Sequence, residues 1–196
     1  MALFRIRPTS IDRRVAQRIA ATARPVPEGI EKTLTWGADE HLLLACAATA
    51  WIATTAFRSP LRPAARHLLI VVATTAAAPH VLKTTFDQVR PDRTTVKGHL
   101  HGIPISGDSM DAFPSGHALH MGALASAATV LSPRYKIPIW GAALGLSATR
   151  IAILAHWVSD VVAGFAIGIV LERTVRRFTG YPGRTRCDIA AGGRTT

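Results

Sequence analysis

Three short polar clusters contain the side chains of this sequence that could do chemistry, and each places cations or imidazoles beside a helix end or turn. The first runs from Lys83 to Pro91, the second from Pro114 to His117, and the third from Thr149 to Asp160. Groups of these types suit the binding and transfer of an anion such as phosphate. Each cluster taken alone also has an ordinary structural explanation.

The second cluster, Pro-Ser-Gly-His, opens an apolar segment and predicts a helix start at Ser115 and Gly116. The first N–H groups of a helix have no partner within it, and the helix dipole is positive there, so this end favours an anion. The Ser115 hydroxyl can cap the helix or donate to a phosphate oxygen. Asp108 and Asp111, just before it, could touch a substrate or cap turns. A plain capped helix explains Pro-Ser-Gly equally well.

The third cluster holds His156 and Asp160, which are four residues apart and would share one face of a helix. A carboxylate on one imidazole nitrogen would fix the tautomer and leave the other nitrogen able to attack. A lone His–Asp pair is more often structural. Asp160, however, stands at the edge of an apolar segment, where an ionisable residue is costly and is by default a functional candidate.

Cations accompany these groups in the first and third clusters. Lys83, Arg90 and Arg150 could bind phosphate oxygens, and each arginine could bind two at a time. Anchoring at a membrane interface is the alternative role for all three residues. For Lys83 considered alone, the anchoring role is the favoured one.

The elements that must position these clusters are apolar. Hydrophobic residues make up 48% of the 196 residues and gather into five blocks, each roughly long enough to cross a hydrocarbon layer. Their frequent small residues would allow close helix packing in lipid. We therefore predict an all-α integral-membrane bundle of five or six transmembrane helices, with a soluble helical bundle as the alternative. The blocks are His41–Phe57, Ala64–Leu82, His117–Leu131, Ile137–Leu154 and Trp157–Leu171.

A different kind of helix is predicted near the N-terminus, from Ser10 to Ala23. Ile11, Val15 and Ile19 recur every four residues with arginines opposite them, which is typical of a helix lying in the membrane interface. Packing of this helix on the domain is the open alternative. The predicted regions are an N-terminal amphipathic segment (1–40), a membrane domain (41–172) and a basic tail (173–196).

The formal net charge of +11 would also suit a nucleic-acid binder. The basic residues lie between and after the apolar blocks instead of in one stripe, and aromatic residues make up only 6% of the chain. Nucleic acid is therefore not a predicted partner. Arginines after the first, third and fifth blocks place those ends in the cytoplasm, and the clusters on the outer face of the inner membrane. The basic N-terminus runs against this orientation unless part of it re-enters the membrane or adds a span.

Further histidines raise the question of a metal. His99, His101 and His120 are near His117, but their spacings are weak metal signals and no carboxylate pair accompanies them. The two cysteines form neither a disulfide framework nor a zinc spacing. We predict no metal and no other cofactor.

Together, the clusters resemble the signature motifs of the type 2 phosphatidic acid phosphatase superfamily, Lys-x6-Arg-Pro, Pro-Ser-Gly-His and Ser-Arg-x5-His-x3-Asp. Every spacing is kept between Lys83 and Asp160, and the one departure is Thr149 in place of Ser, which keeps the hydroxyl. The resemblance implies a metal-independent membrane phosphatase. Its implied substrate is a phosphorylated lipid, such as phosphatidic acid, phosphatidylglycerol phosphate or a polyprenyl (di)phosphate.

The resemblance also implies a role for each residue. His156 would attack phosphorus while Asp160 holds its ring, and His117 would protonate the leaving oxygen and then activate water. Two alternatives stay open, a vanadate-dependent haloperoxidase-like enzyme and a non-catalytic membrane protein that binds phospholipid headgroups. The haloperoxidase relatives are large and soluble, and a headgroup binder would not need the histidines at these spacings. The implied phosphate-binding residues are Lys83, Arg90, Ser115, Gly116 and Arg150.

Overall fold

A computed structural model describes residues 3–22, 40–94, 108–131 and 135–181. Across them the chain is mostly helical, and each of the five predicted apolar blocks lies within a separate helix or ends within two residues of it. The predicted α-helical class is confirmed. The helices are α1 Ser10–Thr22, α2 Glu40–Ala56, α3 Arg62–Thr85, α4 Gly116–Leu131, α5 Lys136–Ala152 and α6 Val158–Thr179. The short elements are β1 Phe4–Arg5, β2 Phe86–Asp87 and a 3₁₀ turn at Pro91–Arg93.

One helix of the described residues, α3, is long and apolar enough to cross a membrane, with 24 residues and a mean hydropathy of 1.3 over an 18-residue stretch. Helices α2, α4 and α5 have 16 or 17 residues, which makes each about 25 Å long. That is short of a hydrocarbon layer of about 30 Å. Helix α6 has 22 residues but carries several charges in its second half. The number of membrane crossings therefore stays a prediction.

The outer faces of the bundle are apolar, whereas much of its interior is built from alanine. Large hydrophobic side chains project outward from α2, α3, α5 and α6, where water would make them costly and hydrocarbon would not. This distribution fits a lipid environment. Exposed examples are Ile52, Phe57, Val81, Leu144, Val162, Val170 and Phe178.

Helices α4 and α6 approach each other through glycine. A Cβ added at Gly164 would collide with the carbonyl oxygen of Ser115, and one added at Gly168 would collide with that of Leu119. Backbone therefore lies where any side chain would stand, as the small-residue content of the blocks led us to expect. This contact fixes the start of α4, with the Pro-Ser-Gly-His cluster, against the start of α6.

The end of α6 carries a buried polar group that the sequence did not suggest. The Glu172 carboxylate accepts hydrogen bonds from Ser126 (2.6 Å) and Arg176 (2.6 and 2.8 Å), and it lies 3.0 Å from Nε2 of His67. Glu172 and Arg176 lie on either side of residue 173, the predicted start of the tail, and α6 continues through both of them to Thr179. Residues 182–196 lie outside the described residues.

Helix α1 packs on the domain, with a different face from the one the pattern suggested. Its buried residues are Asp12, Ala16 and Ala20, whereas Ile11 is 63% exposed. The two alanines belong to a buried cluster with Trp157. The small face of α1 therefore lies against the protein with the half-buried Ile19 packed beside it, and Ile11 is left toward the surroundings.

Candidate active site

His156 is placed by the tight turn that ends α5. The N–H groups of Ala155 and His156 both donate to the carbonyl of Arg150, at 3.1 and 3.2 Å. Within the turn, Leu154 adopts a left-handed conformation with φ 56°. Its own carbonyl accepts the N–H of Asp92 at 3.1 Å, and its side chain is buried. The interval of six positions between Arg150 and His156 is thus the length of one closed turn.

The His156 ring is oriented by a backbone carbonyl. Its Nδ1 lies 2.7 Å from the carbonyl oxygen of Ala112, whereas the nearest Asp160 oxygen is 3.9 Å away. A carbonyl only accepts, so Nδ1 carries the proton and Nε2 keeps its lone pair. The Asp160 carboxylate instead accepts the N–H of Trp157 at 2.8 Å. The hydrogen bond that we expected from the His156 ring to Asp160 is therefore made to Ala112, and Asp160 caps the helix beside it.

The surroundings of His156 keep its imidazole neutral. Burial lowers the pKa of His156 well below its ordinary value, and the positive charges of Arg90, Arg150 and Lys83 lower it further. The hydrogen bond to Ala112 opposes this effect without overcoming it. A neutral imidazole with an unprotonated Nε2 is the form that can attack phosphorus.

Arg90 joins the first cluster to the third. Its guanidinium donates to the carbonyls of Asp108 (2.9 Å), Asp111 (3.2 Å) and Ala155 (3.0 Å), the last of these next to His156. Such a buried arginine is held in a fixed orientation. The Nζ of Lys83 lies 2.7 Å from Oδ1 of Asp111, whose other oxygen is 3.8 Å from Arg90. Asp111 is thus the counter-ion of the first cluster, a more definite role than the sequence indicated.

The second cluster is tied to α6 through Ser115. Its N–H donates to the carbonyl of Asp160 at 3.2 Å, and its hydroxyl accepts the N–H of Ala118 at 3.4 Å. Gly116 begins α4 as predicted. On the first turn of this helix, Nε2 of His117 is buried without a hydrogen-bond partner among the described residues. A buried polar atom with no partner is unusual and is explained here if a ligand supplies one.

Arg150 and Thr149 stand in the last turn of α5. The positive charge of Arg150 acts on both His117 and His156, so this cation links the two imidazoles through its electric field. The Thr149 hydroxyl donates to the carbonyl of Leu146 at 2.6 Å, inside its own helix. Thr149, which stands where the family motif usually has Ser, therefore keeps the hydroxyl, and this hydroxyl is hydrogen-bonded within its own helix.

The geometry thus joins all three clusters by direct contacts. Two of the contributing groups were missed from the sequence. The Ala112 carbonyl gives no sequence signal because every residue has one. Asp12 accepts hydrogen bonds from Ser159 between His156 and Asp160, and it lies about 150 positions away in the chain.

The other histidines do not form a metal site within the part of the chain that the structure describes. No group of three His, Cys, Asp or Glu side chains there could hold a metal ion. His120 instead shares a hydrogen bond with Thr75, at 2.8 Å between Nδ1 and Oγ1. His99 and His101 lie outside the described residues.

An apolar cavity of about 560 Å³ lies between α2, α3, α4 and α5 and extends to His67 and Tyr181 at the Glu172 end of the bundle. Met121 lines it, one helical turn from His117, and Leu146 lines it, one turn from Arg150. The remaining lining is largely Ala, Leu and Ile. A hydrocarbon chain would find apolar contacts there, starting one helical turn from His117 and Arg150.

Comparison with known proteins places this geometry in context. The chain is 36% identical over 103 residues to a lipid A 1-phosphatase of Rhizobium johnstonii, covering 52% of this chain and 42% of that protein. A lipid A 1-phosphatase of Rhizobium etli is 35% identical over 103 residues, with 52% and 44% covered. The chain therefore spans less than half the length of these relatives.

A solved structure shares the fold. The crystal structure of a transmembrane PAP2 type phosphatidylglycerolphosphate phosphatase from Bacillus subtilis superimposes with a TM-score of 0.66. The two are 22% identical, and the match covers 90% of this chain and 88% of the other. The PAP2 superfamily model matches residues 64–184, a range that contains all three clusters and the helices carrying them. The chain belongs to the PAP2 superfamily.

Proposed function

We propose that this chain is a membrane phosphatase that hydrolyses the phosphate ester of a lipid through a phosphohistidine on His156. The observation that carries the proposal is the orientation of the His156 ring. Its Nδ1 is hydrogen-bonded to Ala112 at 2.7 Å, which leaves Nε2 unprotonated among three cations. This is the arrangement of an activated nucleophile beside an anion site.

The first step transfers the phosphoryl group to the protein. Nε2 of His156 forms a bond to phosphorus as the bond from phosphorus to the lipid oxygen breaks, and His117 donates a proton to that oxygen. Lys83, Arg90 and Arg150 stabilise the charge on the phosphoryl oxygens, together with the Ser115 and Gly116 end of α4. Since the helix end and three cations supply this stabilisation, the proposed reaction needs no metal.

The second step releases phosphate. His117, now neutral, takes a proton from water as the water oxygen bonds to phosphorus, and the bond from phosphorus to Nε2 breaks. Inorganic phosphate leaves and His156 returns to its starting form. Asp160, 3.9 Å from Nδ1, stabilises the positive ring of the intermediate by charge instead of by a direct hydrogen bond.

A lipid substrate is supported by the surroundings of the site. The bundle has an apolar outer face, and the apolar cavity begins one turn below His117 and Arg150. Two relatives are lipid A 1-phosphatases and a protein of the same fold is a phosphatidylglycerolphosphate phosphatase. We propose a phosphomonoester or diphosphate of a lipid as substrate. We propose further that it is presented at the outer face of the inner membrane, which the arginine distribution supports and the basic N-terminus does not.

The test is phosphate release in detergent with EDTA present, from a panel containing lipid A, phosphatidylglycerol phosphate, phosphatidic acid and polyprenyl diphosphate. We expect release by the wild type and a loss of at least about 10⁴-fold in His156→Ala. His80→Ala is the matched control because His80 is an exposed histidine near the end of α3. Release that survives in His156→Ala would overturn the mechanism.

A second substitution separates the two histidines. His117→Ala should lose less activity toward an aryl phosphate than toward a lipid phosphate, because an aryl leaving group needs little protonation. It should also accumulate an acid-labile, alkali-stable phosphoprotein, since water activation is lost. Binding of lipid phosphates without turnover by the wild type would favour the headgroup-binding alternative instead.

A further inference from the structure

The N-terminal segment, residues 3–22, contacts the supports of the catalytic clusters. Strand β1 pairs in parallel with β2, between Lys83 and Arg90, with Phe4 opposite Phe86. Helix α1 buries Ala16 and Ala20 in one cluster with Ala112, Leu154 and Trp157. Ala112 supplies the carbonyl that orients His156, and the other two residues belong to the turn around it. The further members of this contact are Asp12 and Ser159.

Asp12 makes the polar part of this contact. One carboxylate oxygen accepts the backbone N–H of Ser159 at 2.9 Å, and the other accepts the Ser159 hydroxyl, also at 2.9 Å. Thr9 donates to the same carboxylate through its N–H and its hydroxyl, both at 2.8 Å. Asp12 is 2% exposed. A buried carboxylate at the start of α6 accepts an N–H that the helix itself leaves unpaired. Its negative charge also interacts favourably with the positive end of the helix dipole.

The carboxylate is charged despite its burial. Burial raises the pKa of Asp12, but the hydrogen bonds from Ser159 and Thr9 together outweigh it and bring the pKa below its ordinary value. A second carboxylate, that of Asp160, follows Ser159 in the chain. It caps the same helix end by accepting the N–H of Trp157. Two carboxylates at one helix end repel each other when both are charged, and the donors on Asp12 oppose that repulsion.

We propose that Asp12 is a positioning residue of the active site, which holds Ser159 and thereby the start of α6 so that His156 meets the Ala112 carbonyl. Ser159 lies between His156 and Asp160 in the chain, so a shift of its backbone also displaces these two residues. The Ala16 and Ala20 contact places the same helix against Ala112, the other end of the His156 hydrogen bond. One helix thus supports both sides of the bond that sets the tautomer of the nucleophile.

The catalytic readout of this inference rests on the proposed phosphatase activity, so the experiment includes a measurement that does not. Asp12→Asn, Ser159→Ala and the double variant are purified in detergent and compared with Arg13→Gln, an exposed neighbour on α1. We expect Asp12→Asn to lower kcat about 10- to 100-fold with KM within about twofold, because misplacement of a nucleophile by a fraction of an ångström acts on the chemical step. Ser159→Ala keeps its N–H bond and should lose less, and the double variant should lose no more than Asp12→Asn.

The independent readout is the nitrogen spectrum of ¹⁵N-labelled histidine, with His156 assigned by its absence in His156→Ala. The wild type should show His156 protonated at Nδ1, and Asp12→Asn should shift it toward a mixture of tautomers, whether or not the chain is a phosphatase. Asp12→Asn with wild-type kcat and an unchanged His156 spectrum would overturn the positioning role. A loss of thermal stability with both readouts unchanged would make Asp12 a purely structural cap. If Asp12→Asn does not fold, Asp12→Glu carries the same test, because a longer side chain moves the carboxylate away from its present place against the Ser159 N–H and should change the same two readouts.

Discussion

The two ends of this bundle are built from the same residue types and use them in opposite ways. At the far end, the Glu172 carboxylate is surrounded by Ser126, Arg176 and His67, all within 3.0 Å. At the end that carries the three clusters, Nε2 of His117 is buried with no hydrogen-bond partner among the described residues, and the charges of Lys83, Arg90 and Arg150 act on His156. A histidine, an arginine and a carboxylate therefore indicate a function only when some of their hydrogen-bonding capacity is left for a ligand.

The difference between the two ends also separates residues that stabilise the fold from residues that we propose take part in the reaction. A satisfied buried network holds helices together, and removing one partner leaves the others uncompensated. An incompletely satisfied site is poised for a substrate at some expense of stability. The experiments below test this division from the largest expected effect to the smallest.

Glu172→Ala should lower the free energy of unfolding by about 3–5 kcal/mol, because it leaves the buried His67 and Ser126 and the half-buried Arg176 without their common acceptor. The kcat of the variant that remains folded should stay within about twofold of the wild type, since Glu172 lies at the other end of α6 from Asp160. Denaturant titration in mixed micelles measures the first quantity. A loss of kcat with little loss of stability would contradict the division between the two ends.

Gly168→Ala should lower the free energy of unfolding by about 1–3 kcal/mol or more, because the added Cβ would collide with the backbone of α4 at Leu119. Gly145→Ala is the matched control, since a Cβ at Gly145 would meet nothing within 4 Å. In a helix interior that control should be neutral or slightly stabilising. Equal stabilities of the two variants would show that α4 and α6 can separate without penalty.

The pH dependence of kcat/KM should report the neutral state of His156. Since burial and the cations lower its pKa, the imidazole stays neutral as the pH falls through the ordinary value of about 6.5. The acid limb due to His156 should therefore appear only at a lower pH. Lys83→Gln removes one of the charges that lower this pKa and should move the limb upward. An acid limb of His156 at or above pH 6.5 in the wild type would contradict the electrostatic account.

Much of this arrangement could be predicted from the sequence because its determinants are local. Apolar blocks of 15 to 20 residues gave five helices whose bounds agree with the structure within a few positions, apart from the end of α6. Pro-Ser-Gly before an apolar run predicted the start of α4 at Gly116. The chemistry expected of the three clusters came from residue type together with the resemblance of their spacings to the family motifs, since each cluster taken alone also has a structural explanation.

Other features could not be predicted because they depend on which surfaces meet. The isoleucines of α1 are its largest apolar side chains, and their spacing indicated an interfacial helix. The buried face is instead Asp12, Ala16 and Ala20, which have little hydrophobic signal but allow close approach. A packing face chosen by small size and one polar contact leaves almost no periodic pattern in a sequence.

The sequence by itself determined the helices, the order of the three clusters and the residue types available for chemistry, because these depend on local hydropathy, capping and spacing. Only the tertiary structure decided that the His156 ring donates to Ala112 instead of Asp160, and that Asp12 holds Ser159. Hydrogen bonds select by distance and angle among groups brought together from distant parts of the chain. A difference of about 1 Å between two acceptors, which decides which of them receives the Nδ1 proton of His156, exists only after the helices have packed.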